Sequence, residues 1–372
     1  MRIGIDARFY GSFGKGLGRY TEKLITHLEN LDEKNEYYIF LRKENWASFQ
    51  SAKSNFRKVL ADYRWYSLSE QIFLPLKIWS YHLDVMHFPH FNVPLLYFGR
   101  FVVTIHDLII TKYPTQRATT LGPILYKIKQ FGYKVIIRSA VKKARKIITV
   151  SQYTKSELMK YFNITADKIL ITHEAVEPPS ENFRSEEFVL SKYRIKKPFI
   201  LFVGNVYPHK NIEGLLRAFK KILEKNQEYY LVLVGKDDYF YKKIKREVAF
   251  NDLEQKVIFT GFVTDEDLPG LYKNAKIYAF PSFCEGFGLP ALEACSYGLP
   301  VAASNNSCLP EILGKAAVYF DPYNVDNMAE VISKLLNSES LIEKLRKLGI
   351  KKSKEYSWDR LAKSTLELYN SI

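Results

Sequence analysis

Ile277-Tyr-Ala-Phe280-Pro281-Ser-Phe-Cys-Glu285-Gly286-Phe287-Gly288-Leu289-Pro290-Ala-Leu-Glu293-Ala-Cys-Ser-Tyr-Gly298-Leu-Pro300 reads as a strand, a glycine turn and a helix in succession. The apolar run Ile277–Phe280 is the strand, and Gly286 and Gly288 make the turn. Pro290 falls near the first helical position and Gly298 just past the last, where those residues suit helix ends. The turn therefore presents a helix N-terminus, whose free amides and positive dipole end favour an anion such as a diphosphate. Glu285 precedes the helix and Glu293 lies in its first turns. Eight residues at a rise of about 1.5 Å separate them by at most roughly 12 Å. A glycosidase dyad needs its carboxyls roughly 5–10 Å apart across one bond. The two glutamates are instead spaced to meet different parts of one ligand. The competing reading is a turn that merely packs helix on strand.

The same strand–turn–helix grammar recurs along the chain. Ile3–Ile5 leads into Gly11, Gly14, Gly16 and Gly18 and then a helix over about 21–28. It restarts at Phe199–Val203, with Gly204, a polar turn and a helix over about 212–219. Further strands are expected at 37–41, 85–88, 101–105, 146–150 and 169–172, then at 230–234, 257–260 and 301–303. Strands alternating with helices predict parallel sheets with helices on both faces. The polar, proline-bearing passage Pro178-Pro-Ser-Glu181 with Lys196-Lys-Pro198 marks the linker. The expected fold class is thus α/β, with two doubly wound domains over residues 1–185 and 186–356 facing across a cleft. The end of the chain, about 357–372, is either a last helix of the second domain or a segment crossing back onto the first.

Composition narrows the setting. Cys284, Cys295 and Cys308 are odd in number and lack C-x-x-C spacing, which argues against a disulfide framework or a zinc site and for a reducing compartment. Asp6 interrupts the N-terminal apolar stretch, and no run of 18 apolar residues occurs, so neither a signal peptide nor a spanning helix is expected. A cytoplasmic protein is the expectation. The net charge of +15 calls for a polyanionic partner: nucleic acid, an anionic membrane or phosphorylated substrates.

The segment E-G-F-G-L-P-x-L-E-A, with seven residues between its glutamates, resembles the hallmark of the GT-B retaining glycosyltransferases, the group 1 family that includes many bacterial mannosyltransferases. The resemblance runs through nearly the whole chain and implies the GT-B fold. It implies that Glu285 contacts donor-sugar hydroxyls and Glu293 the ribose hydroxyls of the nucleotide. Amides of Phe287, Gly288 and Leu289 would meet the sugar and diphosphate.

Gly204-Asn-Val-Tyr-Pro-His-Lys210-Asn211 resembles the family's turn whose lysine pairs with the diphosphate, which assigns Lys210 and Asn205 to the donor. Many relatives carry arginine at the place of Asn205 or His209, so this chain departs there. Gly261-Phe262-Val263 resembles the base-binding turn, and Ser307–Glu311 a second donor-facing turn. In the first half, Thr104-Ile-His106-Asp107 ends a strand, and the resemblance gives His106 a contact to the donor sugar. Gly16 belongs to a glycine loop that resembles the family's turn beside the phosphates. A surface lysine and a structural histidine are the bland readings of Lys210 and His106. His87 and His90 read as structural.

The implied reaction moves a sugar from a nucleotide diphosphate to an acceptor hydroxyl with retained configuration. The precedent is a front-face substitution without a cofactor or metal, since no Asp-x-Asp stands in a plausible metal position. Domain closure would bring His106 against Glu285. Pro208–Asn211 and Ser304–Glu311 most resemble O-antigen-type mannosyltransferases, which favours GDP-mannose over a UDP-sugar. The acceptor would be a glycan or lipid-linked oligosaccharide of surface polysaccharide synthesis, with a soluble acceptor as the alternative.

Rival functions fit less well. A dinucleotide-dependent oxidoreductase needs G-x-G-x-x-G directly after its strand, whereas glycines here fall at 11, 14, 16 and 18. A nucleic-acid-binding protein would show a recognition motif or aromatics interleaved with basic residues, and neither appears. A phosphorylase would need a lysine-bound pyridoxal cofactor, and an epimerase of this fold would lack the glutamate pattern.

Between Asp107 and Glu157 there is no acidic residue. Eleven basic ones stand there: Lys112, Arg117, Lys127, Lys129, Lys134, Arg138, Lys142, Lys143, Arg145, Lys146 and Lys155. They alternate with Ile124, Leu125, Ile128, Phe131, Val135, Ile136, Ile137 and Val141. Such a helix suits an anionic membrane surface, or else lays its apolar side on the core and its lysines in water.

Overall fold

The computed structural model describes residues 1–11, 15–114, 122–179 and 184–372. Gly14, Arg117, Ser180 and Glu181 lie outside the described residues. The chain divides into two compact units, one from residues 1–112, 122–174 and 357–372 and the other centred on 175–356.

The first unit holds β1 (Arg2–Asp6), β2 (Glu36–Leu41), β3 (Phe56–Leu60), β4 (Val85–Phe88), β5 (Phe101–Ile105), β6 (Lys146–Thr149) and β7 (Ile169–Ile171). They form one sheet in the order β3-β2-β1-β4-β5-β6-β7, parallel at every pairing. The second unit holds β8 (Phe199–Val203), β9 (Tyr230–Val234), β10 (Val257–Gly261), β11 (Ile277–Phe280), β12 (Val301–Ser304) and β13 (Ala317–Phe320). Their order is β10-β9-β8-β11-β12-β13, again all parallel. Both orders run outward from one strand and then reverse, the Rossmann pattern with its switch point beside the first strand.

The central strands are apolar on both faces because helices cover both. Every residue of β5, Phe-Val-Val-Thr-Ile, is buried, and so is every residue of β11. β3 and β13 were not legible as strands, and both lie at a sheet edge. In β3, Phe-Arg-Lys-Val-Leu, only Phe56 and Val59 are buried, so no continuous apolar run marks it.

The chain end returns to the first unit. Helix Trp358–Asn370 packs on helix Lys15–Leu31, burying Leu361, Thr365, Leu368 and Tyr369. Its Tyr369 hydroxyl lies 2.5 Å from His87 Nδ1, whose other ring nitrogen is 2.8 Å from Thr104 Oγ1. Burial lowers the pKa of His87 to about 3, so it is a neutral, fully satisfied core histidine.

Helix Pro123–Lys143 has two apolar faces. Tyr133, Ile137, Ala140 and Val141 are buried in the core cluster with Phe101 and Ile105. Ile124, Leu125, Ile128, Phe131 and Val135 face solvent. Among the described residues, no helix is long and apolar enough to cross a membrane. The three cysteines are buried and form no disulfide.

At the switch point of the first sheet, beyond β1, the wholly buried Arg8 guanidinium contacts Asp6 at 2.7 Å and Glu70 at 2.7 Å. Asn92 Nδ2 donates to the same Glu70 oxygen, Oε1, at 2.7 Å, and the Tyr66 amide donates to Oε2 at 2.7 Å. Arg8→Met should leave two buried carboxylates uncompensated and cost about 3–5 kcal/mol in urea unfolding. The double variant Arg8→Met/Glu70→Leu should recover part of that loss. An unfolding midpoint unchanged in the single variant would contradict it.

Candidate donor site in the second unit

β8 and β11 are neighbours, with Ile200 opposite Ile277 and Leu201 opposite Tyr278. The loops that leave their carboxyl ends therefore emerge side by side at the switch point, where ligands bind in such sheets. After β8 the chain passes Gly204 and the 3₁₀ turn Pro208–Lys210, then Asn211 in left-handed conformation, before helix Ile212–Leu223. After β11 it passes Pro281–Gly288 into helix Leu289–Ser296.

The two loops are tied together. The Phe283 amide donates to the His209 carbonyl at 2.8 Å, and Asn211 Nδ2 donates to the Pro281 and Pro322 carbonyls. The adjacency brings Lys210 Nζ to 2.7 Å from Glu285 Oε1, both side chains being about nine-tenths buried. A buried charge needs a partner, and each supplies the other's. Lys210 also lies over the Phe280 ring.

The loop after β12 braces this pair. Ser307 Oγ accepts from the Glu285 amide at 3.1 Å, and Asn306 Nδ2 donates to the Phe283 carbonyl at 2.9 Å. Ser307 has φ +59°, a left-handed conformation that a serine adopts only under local constraint.

Gly288 must be glycine. Its φ is +93°, and a Cβ there would stand 2.7 Å from Leu309 Cδ2. It is the N-cap of helix Leu289–Ser296, which follows the loop leaving the carboxyl end of β11, and its carbonyl accepts from the Ala291 amide at 3.1 Å. Glu293, inside that helix, accepts from the buried Tyr272 hydroxyl at 3.2 Å. Asn205 Oδ1 is a buried acceptor with no hydrogen-bond partner among the described residues. Gly261 has φ +72°, Phe262 is 72% exposed beside it, and Val263 is buried.

Of the basic residues in the Pro208–Lys210 turn, His209 is not a cation near neutral pH. Burial, with the Lys210 charge beside it, lowers its pKa to about 4. Among the described residues, no cluster of three or more His, Cys, Asp or Glu side chains could hold a metal ion.

The remaining expected residues lie in the first unit. His106 follows β5, with both ring nitrogens engaged by Glu174 and Pro89. Gly16 is exposed in the first turn of helix Lys15–Leu31, with open space where a side chain would stand. The steric demand falls on Gly18 instead, where a Cβ would meet the Gly11 carbonyl oxygen at 2.1 Å. Sequence reasoning missed Glu174, Tyr272 and Asn306. They act through partners 68, 21 and 23 residues away, and no local pattern marks such pairs.

Comparison with solved structures agrees with the paired Rossmann topology. Sucrose-phosphate synthase from Thermosynechococcus elongatus superposes with a TM-score of 0.78 over 100% of this chain and 98% of its own, at 18% identity. That likeness shows the fold, which is GT-B. In sequence, residues 184–354 match the family described as Glycosyl transferases group 1, and residues 14–178 match Glycosyltransferase Family 4.

O-antigen chain mannosyltransferase B of Escherichia coli is 32% identical over 387 residues, 96% of each chain. O-antigen chain mannosyltransferase RfbU of Salmonella typhimurium is 26% identical, over 88% of this chain and 92% of its own. The chain belongs to the group 1 glycosyltransferases, and it is a glycosyltransferase.

Proposed function

We propose that the chain transfers mannose from GDP-mannose to a hydroxyl of a glycan or lipid-linked oligosaccharide in surface polysaccharide synthesis, with retained anomeric configuration and without a metal. The observation that carries the donor chemistry is the buried Lys210–Glu285 pair beside the N-terminus of helix Leu289–Ser296. The mannose preference rests on likeness to the two O-antigen mannosyltransferases.

In this reading the diphosphate takes Lys210 as its counter-ion, with the amides of Phe287, Gly288 and Leu289 around it. Glu285, released from the lysine, accepts from sugar hydroxyls. Glu293, steadied by Tyr272, accepts from the ribose hydroxyls. Asn205 accepts from a donor hydroxyl or amide through its orphaned oxygen. Gly261, Phe262 and Val263 border the base, and Gly16 and His106 serve from the first unit. The acceptor oxygen bonds to the anomeric carbon on the face the diphosphate leaves, and its proton passes to the departing phosphate oxygen. Negative charge grows on that phosphate as the bond breaks, so a fixed cation there acts mainly on the transition state. With Asn205 and neutral His209 where relatives carry arginine, Lys210 bears most of that task.

The same reading extends to location on the cytoplasmic face of a membrane. The outward face of helix Pro123–Lys143 sets Ile124, Ile128, Phe131 and Val135 at helical spacing, flanked by exposed Lys127, Lys129, Lys134 and Arg138. A lone basic face would be solvated, but an exposed apolar stripe among cations suits an anionic lipid surface.

A thermal-shift panel should show stabilisation by GDP exceeding that by UDP, with labelled mannose transferred to an α-linked product in the presence of EDTA. Loss of turnover in EDTA with rescue by Mn²⁺ would overturn the metal-free step. Glu293→Gln should weaken donor affinity by about 10- to 100-fold, the worth of a charged hydrogen bond, with turnover near wild type. Lys210→Ala should instead lower turnover on the order of 100-fold. If the two variants showed the same kinetic pattern, the division of roles would fail. Sedimentation should bring the protein down with anionic liposomes and not neutral ones. Ile128→Ser/Phe131→Ser and Lys127→Glu/Lys129→Glu should each release it; equal partition to both lipids would point to a soluble acceptor.

A further inference from the structure

His106 follows β5, and groups of its own unit hold its ring on three sides. Nδ1 lies 3.0 Å from Glu174 Oε1, and Nε2 lies 3.1 Å from the Pro89 carbonyl oxygen. The Tyr20 ring meets it edge-on, with centroids 4.6 Å apart. The Glu174 carboxylate is buried to 8% exposure and the histidine to 19%.

A carboxylate and a carbonyl can only accept hydrogen bonds. A neutral imidazole owns one N–H and would turn a lone pair against one of those two oxygens. The doubly protonated ring satisfies both. We propose that Glu174 is a positioning residue that holds His106 as an imidazolium and so fixes it as a hydrogen-bond donor toward a hydroxyl of the substrate. This rests on the reading of the chain as a glycosyltransferase whose His106 meets the donor sugar.

The surroundings agree with a single positive charge at this point. Burial disfavours the charged ring, but Glu174, the Pro89 carbonyl and neighbouring Asp107 outweigh it and raise the His106 pKa. The two nearest histidines go the other way. Burial and the His106 charge lower His87 and His90 to about 3, with Arg8 adding to the effect on His90. The buried Tyr20 hydroxyl is raised well above its ordinary range and stays neutral. A substrate hydroxyl arriving at the ring shares the Nε2 proton with the Pro89 carbonyl as a three-centre bond. Because an imidazolium cannot accept, that hydroxyl is oriented to offer its oxygen to the ring and its proton elsewhere.

Glu174→Gln is the discriminating change. The amide is isosteric and can donate to Nδ1, so the ring keeps its place while the neutral tautomer, with its proton on Nε2, becomes the stable one. The sign follows: the carboxylate raises the histidine pKa, so its loss lowers it, and the charged ring disappears at a lower pH. Histidine-labelled full-length protein would be titrated by NMR, with the His106 resonance identified by its absence in His106→Asn. The pH profile of kcat/KM would be measured in parallel, since it reports the free enzyme.

In Glu174→Gln the His106 titration should fall by about 1 unit or more. The alkaline limb of kcat/KM should move acidward by the same amount, giving roughly 10-fold lower kcat/KM at a pH above both limbs. Glu174→Asp should restore most of both. A His106 titration unmoved by Glu174→Gln overturns the proposal. A titration that moves while the rate profile stays fixed overturns the role of the charge in turnover and leaves the transferase reading standing. Failure of the wild-type chain to transfer any sugar would instead strike that underlying reading.

Discussion

In each sheet the strand order runs outward from one strand and then reverses, and this constraint governs where charge can be stationed in the molecule. Loops leaving the strands on either side of the reversal diverge and open a crevice at the carboxyl edge. The two units fill that crevice differently. In the first, Arg8 closes on Asp6 and Glu70, and the guanidinium is wholly buried. In the second, a lysine and a glutamate face each other beside a helix N-terminus, on loops that carry Gly204 and Gly288 at positive φ. One topology thus yields a structural ion triad in one unit and a candidate reaction site in the other.

Pairing is the common device. A buried lysine, carboxylate or imidazolium without a partner is strongly disfavoured, so each ionised group in the candidate machinery has one. Lys210 has Glu285, and His106 has Glu174. Such pairs hold side chains in fixed orientations before a substrate arrives. Neutrality is arranged differently: His87 is buried, His90 and His209 are half-buried, and desolvation with a neighbouring positive charge lowers the pKa of all three. Positive charge in these neighbourhoods is therefore confined to a few chosen atoms.

Helix Pro123–Lys143 shows how far a pattern can mislead. Its apolar residues are too numerous for one face, and the structure divides them between the core and the solvent. The basic residues divide as well. Lys112 pairs with Glu157 at 2.6 Å, and Lys143, Lys146 and Lys155 cap backbone carbonyls, while those midway along the helix remain exposed. The charge run is thus partly structural cement and partly a free surface.

What the sequence by itself determined is local and periodic: the apolar strands of both sheets' interiors, the glycine turns, the Pro290–Gly298 bracketing of a helix, and the E-G-F-G-L-P-x-L-E-A segment that marks the family. These are legible because strand burial, turn geometry and helix ends each impose their residue types within a few positions. The edge strand β3 carries no continuous apolar run, with only Phe56 and Val59 buried, while β13, Ala-Val-Tyr-Phe, is apolar but only four residues long, too short for its pattern to tell strand from helix. Only the tertiary structure decided which loops meet. Lys210 and Glu285 are 75 residues apart, His106 and Glu174 are 68 apart, and His87 and Tyr369 are 282 apart. Those contacts depend on strand order and on the return of the last helix, which pack distant segments together through surfaces that no short stretch of sequence encodes.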